Sequence, residues 1–344
     1  MKKKRMYSKN YKNIVKIGEP IPLIGHLAFG IIDRGTNLLQ IRPTSLCPLS
    51  CIFCSVDAGP QSRWRKTEYI VELNHLLNWF RWVVEVKGLD KVHAYIDAAG
   101  DPLTYPEIIK LVQELKSMEF VETVALETRG MLLTNKLADA LDEAGLDRIN
   151  LSIDALNPEL AKRLVNTPRF DVEQVAKVAE YIAGSLRMDL LIAPVWIPGL
   201  NNEEIPKIIA WALDIGAGKR WPPLGIQKYE FHKYGRQPRG VIPMKWRDFY
   251  DNLRKWENEY GVNLVLKPSD FGIRKTNRVP LAFSRFERVN VKIMAPGWMR
   301  NQEIGVARSR VVTVIMANER AVRRKVSVKI LRTKNNIYIA QSEL

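Results

Sequence analysis

Residues 42–56 read RPTSLCPLSCIFCSV and hold all three cysteines of the 344-residue chain. Cys47, Cys51 and Cys54 stand in the spacing C-x3-C-x2-C, and no fourth cysteine exists to complete a set. One coordination position of a metal centre held here falls to something other than protein cysteine. A structural zinc site is closed by four Cys or His ligands, and His26, His75, His93 and His232 all lie away from the cluster of thiols along the chain. Disulfides are poorly supported, because an odd count leaves one thiol over and a chain of this size needs no such staple. Zinc with a distant histidine and buried unligated thiols stay open beside an iron–sulfur cluster, in which three cysteines leave one iron of a four-iron cube free.

Working outward, the length suggests about two domains, and a 46% apolar composition is ample for a core. No segment approaches the roughly 20 apolar residues of a membrane span. Residues 1–16, MKKKRMYSKNYKNIVK, carry no apolar run behind their charges, so a cytoplasmic protein without a secretory signal is expected. The net charge of +16 is unevenly placed: residues 1–218 hold 26 basic and 27 acidic side chains, residues 219–344 hold 27 and 10. Thermal adaptation raises both signs together. A one-signed excess confined to the last third points to a polyanion, nucleic acid foremost.

After a basic N-terminal extension over residues 1–36, NLLQIRPTS predicts a short strand at about 37–43 whose end delivers the cysteine loop. Apolar spacing predicts helices over 67–87, 106–118, 134–144 and 170–185, and another behind Asn201 or Asn202 as cap. Strands are predicted over 92–97, 122–126 and 148–155, in MDLLIAPVWIPG at 188–199, and over 225–231. Strands alternating with helices argue a parallel sheet with right-handed crossovers and ligands at the carboxyl ends of the strands. Residues 236–286 read as a basic helical and loop linker, whose helix packs Trp246, Phe249, Leu253 and Trp256 inward.

At this point the chain resembles the radical S-adenosylmethionine (SAM) superfamily. The cysteine spacing carries the likeness, with Phe53 just before the last cysteine. The break Ala99-Gly100-Asp101-Pro102 looks like the superfamily's GGEP element, with Ala99 in place of the first glycine and Asp101 in place of the glutamate. ETRG at 127–130 resembles its TNG element, LSIDA at 151–155 its SLD element, and PVWIPGLN at 194–201 its fifth-strand glycine region. The resemblance implies an α/β fold, a partial (β/α)6 TIM-like barrel over residues 37–235. It implies a [4Fe-4S] cluster on Cys47, Cys51 and Cys54 that binds S-adenosyl-L-methionine and cleaves it to a 5′-deoxyadenosyl radical. It also implies that Phe53, Gly100, Asp101, Glu127, Ser152, Asp154, Val195 and Gly199 hold SAM. Taken singly each has an equal structural reading, since Ser and Asp often close strands by turn hydrogen bonds.

Five β-rich runs follow residue 287, the pattern of a small barrel. Gly305 to Arg308 and the closing VKI and IAQ runs resemble the TRAM domain, an RNA-binding β-barrel, and residues 285–344 hold 13 basic and 4 acidic side chains. A generic barrel that binds protein is the alternative. Together the parts imply a radical SAM enzyme that modifies a nucleotide in RNA, tRNA foremost, as in archaeal proteins of this build. Residues 219–344 would hold the phosphates, which position without specifying, and the target base would be unstacked to react. A ferredoxin or flavodoxin is the expected electron donor, and a monomer the expected state. Tyr229, Glu230 and His232, near the sixth strand, are candidate substrate-facing acids or bases. With every cysteine spent on the cluster, methylthio transfer and methyl transfer through a protein thiol are not expected. Two rival readings remain: a radical SAM enzyme for a peptide or small metabolite, and a non-enzymatic RNA-binding protein with a structural metal.

Overall fold

Short apolar runs bounded by turn residues form the sheet strands in the computed structural model, which describes residues 12–316 and 325–343. The chain opens with β1 (Asn13–Ile17), β2 (Gly30–Asp33) and β3 (Leu38–Arg42), and the cysteine loop leads to β4 (Thr67–Val71) and α1 (Leu73–Lys87). Next come β5 (Val92–Ile96) and α2 (Ile108–Lys116), β6 (Val121–Thr128) and α3 (Asn135–Glu143), then β7 (Arg148–Leu151) with α4 (Pro158–Val165) and α5 (Val172–Ser185). β8 (Asp189–Ile192), β9 (Val195–Trp196), α6 (Glu204–Asp214), β10 (Gln227–Lys228) and α7 (Trp246–Tyr260) follow. The chain closes with β11 (Arg288–Pro296), β12 (Gln302–Ala307), β13 (Arg310–Ile315), β14 (Lys325–Arg332) and β15 (Ile339–Ser342).

The six-stranded sheet runs β2-β3-β5-β6-β7-β8. β3 through β8 are parallel, joined by helical crossovers as the alternation predicts, whereas β2 runs antiparallel to β3. The sheet therefore starts at Gly30, inside the stretch expected to be an N-terminal extension; all four residues of GIID are buried. The predicted strand over 225–231 shrinks to β10, two residues paired with β9. Pro194 separates β8 from β9, and a proline has no N–H to give a ladder. Residues 67–71, read as helix, are strand β4, because β1 pairs with all five of them. Asn201 is no helix cap: it accepts from Ile197 N at 2.7 Å and donates to the carbonyls of Asp154 and Val195.

The last five strands form a closed barrel, β11-β12-β13-β15-β14, filled by Val291, Ile293, Val312, Val314, Val328 and Ile330. The barrel is not a detached bead. Val311 N donates to Ile24 O at 2.8 Å and Tyr338 N to Gly25 O at 3.0 Å. Gly25 has φ 128°, and a Cβ there would lie 1.9 Å from the carbonyl of Val311. Trp298, Ile304 and Val311 belong to the core shared with the larger domain. Among the described residues no helix is long and apolar enough to cross a membrane.

Candidate active site

The carboxyl ends of the parallel strands converge on one cavity of about 370 Å³. Cys47, Cys51 and Cys54 line one wall as free thiols. Their loop has little secondary structure of its own and is held by two arginines. Arg65 donates to the carbonyls of Ser45 (3.0 Å), Val56 (2.9 Å) and Ala99, and its guanidinium stacks 4.4 Å over Trp298 of the C-terminal barrel. Arg236 reaches back across the sequence to the carbonyls of Cys51 (2.6 Å) and Ala58 (2.7 Å) and to Asp57 Oδ1 (2.9 Å). Its own N–H donates to Cys54 O at 2.8 Å.

Opposite the cysteines stands the turn after β5. Asp101 N donates to Leu46 O at 2.8 Å, and a Cβ on Gly100 would fall 2.0 Å from that same carbonyl. Only glycine lets this turn approach the cysteine loop so closely. The Asp101 carboxylate lines the cavity, but it is already engaged by Leu103 N (3.0 Å), Thr128 Oγ1 (2.9 Å) and Arg129 N (3.2 Å). Burial raises its pKa while these donors pull it down. Glu127 also lines the cavity and accepts from the Tyr95 hydroxyl; burial again raises its pKa. Phe53, Ser152 and Val195 complete the positions expected to face a cofactor.

Two expected residues do not reach the cavity. Gly199 lies in an exposed turn, where its N–H donates to Asn202 Oδ1 at 3.1 Å. Asp154 sits behind the wall, accepting from Val195 N at 2.8 Å and pairing with Arg129. Arg129, like Arg65 and Arg236, is a residue that sequence reasoning missed. It lines the cavity with its guanidinium 4.9 Å over the Phe53 ring. Burial opposes its charge and Asp154 outweighs that, so its pKa lies above the ordinary arginine value. Burial pushes the Cys51 thiol up to about 11, and Arg129 pulls against it.

Tyr229, Glu230 and His232 all line the cavity. Glu230 accepts from Lys228 Nζ at 2.5 Å, and His232 is exposed at the rim. The donor set fits an iron–sulfur cube: three thiols share a wall, with the cations Arg129 and Arg236 beside them to offset thiolate charge. Among the described residues no three Cys, His, Asp or Glu side chains converge as on a single ion. A cube whose irons are each taken by a different thiolate does not require them to.

The Radical SAM superfamily model matches residues 41–212, from β3 through most of α6. An uncharacterized protein of Methanocaldococcus jannaschii is 38% identical over 350 residues, 96% of this chain and 81% of that one. The GTP 3′,8-cyclase of Chlorobaculum tepidum is 29% identical over 206 residues, 60% of this chain. This chain spans 58% of that relative's length. Among solved structures, Streptococcus suis SuiB bound to precursor peptide SuiA superposes with a TM-score of 0.51 at 17% identity, covering 70% of this chain and 48% of that one. That likeness is one of fold.

Proposed function

This chain belongs to the radical SAM superfamily, and from that premise we propose that it modifies a nucleotide in RNA, with tRNA as the substrate. The protein is an enzyme that uses a [4Fe-4S] cluster and SAM. When bound, cluster and SAM supply one-electron chemistry that ends in removal of a hydrogen atom from the substrate. A low-potential donor such as ferredoxin or flavodoxin delivers the electron.

In this reading Cys47, Cys51 and Cys54 hold the cluster. Arg65 and Arg236 fix the carbonyls of their loop, and Gly100 lets the facing turn close on it. Glu127, Ser152 and Val195 face SAM. Arg129, kept charged by Asp154, offsets the thiolates and holds Phe53 in place. Asp101 acts at one remove, fixing Thr128 and the Arg129 backbone rather than offering a free carboxylate.

The observation that carries the RNA reading is the placement of charge, 27 basic against 10 acidic residues over 219–344. It is supported by the closed barrel standing against the cysteine loop through the Arg65–Trp298 stack. Mass spectrometry of nucleosides from cells with and without the gene tests it: one modified nucleoside should disappear and its precursor accumulate. An unchanged nucleoside profile would sink the reading. A free purine nucleotide is the second reading, favoured by the likeness to GTP 3′,8-cyclases. Loss of a soluble nucleotide product with RNA unaltered would select it. Anaerobic reconstitution provides the prior check, since a preparation without iron, or unable to cleave SAM after reduction, would refute both.

A further inference from the structure

The junction between the linker and the small barrel holds an aromatic ring in a position that packing does not explain. Phe286 is 54% exposed and belongs to neither hydrophobic core. Its φ is 69°, and among the described residues it is the one aromatic at a non-glycine position of positive φ. Phe286 N donates to Ile330 O at 2.7 Å and Ile330 N to Glu287 O at 2.9 Å, so the two residues before β11 face one residue of β14. That is a β-bulge whose first position is left-handed, where glycine costs least and a bulky side chain is strained. Strain kept on a side chain that fills no part of a core points to a use for that side chain.

The surroundings indicate what use. Arg285 Cζ lies 4.4 Å and Lys329 Nζ 5.4 Å from the centre of the Phe286 ring, and both cations belong to exposed residues. Residues 285–344 hold 13 basic and 4 acidic side chains. An open groove of about 610 Å³ shares Arg285 with the ring and is lined also by Leu281, Ser284, Arg308 and Thr333. Glu287 lines it too, but its carboxylate is taken by Ser284 N at 2.9 Å and by Arg308 at 2.7 Å. An exposed ring beside two cations matches a nucleotide strand, in which each flat base stands between two phosphates. A duplex keeps its bases stacked on one another, so the match is to a single strand.

We propose that Phe286, Arg285 and Lys329 form a docking point for a single-stranded segment of RNA, with one base stacked on the Phe286 ring and the adjoining phosphates met by the two cations. This rests on the RNA reading given above and adds the place where the strand is held.

The test uses the full-length protein as wild type, Phe286→Gly and Lys329→Ala. Equilibrium binding is measured for total tRNA, for an oligouridylate of about ten nucleotides and for an RNA duplex of the same length. Phe286→Gly should lose about tenfold in affinity for the single strand, the worth of one stacked base, and bind the duplex as the wild type does. Its dependence on salt should match that of the wild type, whereas Lys329→Ala should make the single-strand slope shallower by about 0.7, the share of one phosphate. The Tm of Phe286→Gly should not fall, because glycine takes a φ of 69° without strain; a ring needed for packing would lower it. Failure of the wild type to bind the oligouridylate, an unchanged single-strand affinity in Phe286→Gly, an equal loss on the duplex, an unchanged slope in Lys329→Ala, or a lower Tm each overturns the docking point, and binding of tRNA by the wild type then leaves the RNA reading standing. If the wild type binds no tRNA, the RNA reading itself falls and the docking point with it.

Discussion

At the scale of single residues, Arg129 does more than the motif around it announces. It pairs with Asp154, covers Phe53 and lies beside Cys51. Arg129→Met leaves Asp154 buried without its cation, and breaking a buried pair from one side costs about 3–5 kcal/mol. Chemical denaturation should show a loss of that order, and the double variant with Asp154→Asn should recover part of it. Additive losses would refute the pairing. His26 sets a pH dependence. It is buried, stacked 4.7 Å from Phe29, and burial with help from Arg42 lowers its pKa from 6.5 to about 3. A base with a depressed folded pKa favours folding while neutral, so its contribution is complete above pH 6.5 and is lost as pH falls toward 3. The loss is about 1.4 kcal/mol per pH unit inside that window. Unfolding measured at neutrality and at about pH 5 should show this slope in the wild type and a flatter one in His26→Gln. The cysteine spacing was legible in the sequence because the residue type carries the constraint, whereas Gly100 was singled out by its likeness to a SAM-holding element and its close approach to the Leu46 carbonyl was not foreseen. Arg129 was not legible: an arginine just past a strand reads as solvated until its partner, 25 positions on, is brought to it.

At the scale of elements, the turn after β5 and the cysteine loop behave as one unit. The Gly100 Cβ position is occupied by a backbone carbonyl, which cannot swing aside. Gly100→Ala should yield a folded protein that holds iron poorly after reconstitution, read from iron content and the visible absorbance of the cluster. Full iron retention would show that the two loops separate freely. The parallel order of β3 to β8 and all five strands of the small barrel followed from alternation of apolar runs and turns. β4 was misread because TEYIVELNHLL satisfies a helical period; what decides it is β1, which lies more than 50 positions earlier. β2 and β10 were misjudged for a related reason. Four and two residues carry too little pattern to set a boundary, and their neighbours in the sheet decide them.

At the scale of the whole molecule, the basic C-terminal barrel is also a support for the cysteine loop. Lys66 N donates to Trp298 O at 2.9 Å and Tyr69 OH to Pro296 O at 2.9 Å, beside the Arg65 stack. Truncation after residue 286 should therefore lower both tRNA affinity and iron retention. In the intact protein, tRNA affinity should fall steeply with salt, by a slope of about −0.9 for each duplex phosphate contacted. A truncated protein that keeps its iron would mean the barrel is only an RNA-binding attachment. The arginine clamps have a bearing on biosynthesis. Arg236 lies 185 positions beyond Cys51, and Trp298 comes later still. The cysteines leave the ribosome early, but their loop gains its clamps only after residues 236 and 298 have been made. The order of synthesis thus sets the cysteine loop apart from its supports, so that a stretch made early waits for partners made much later before it is held in place.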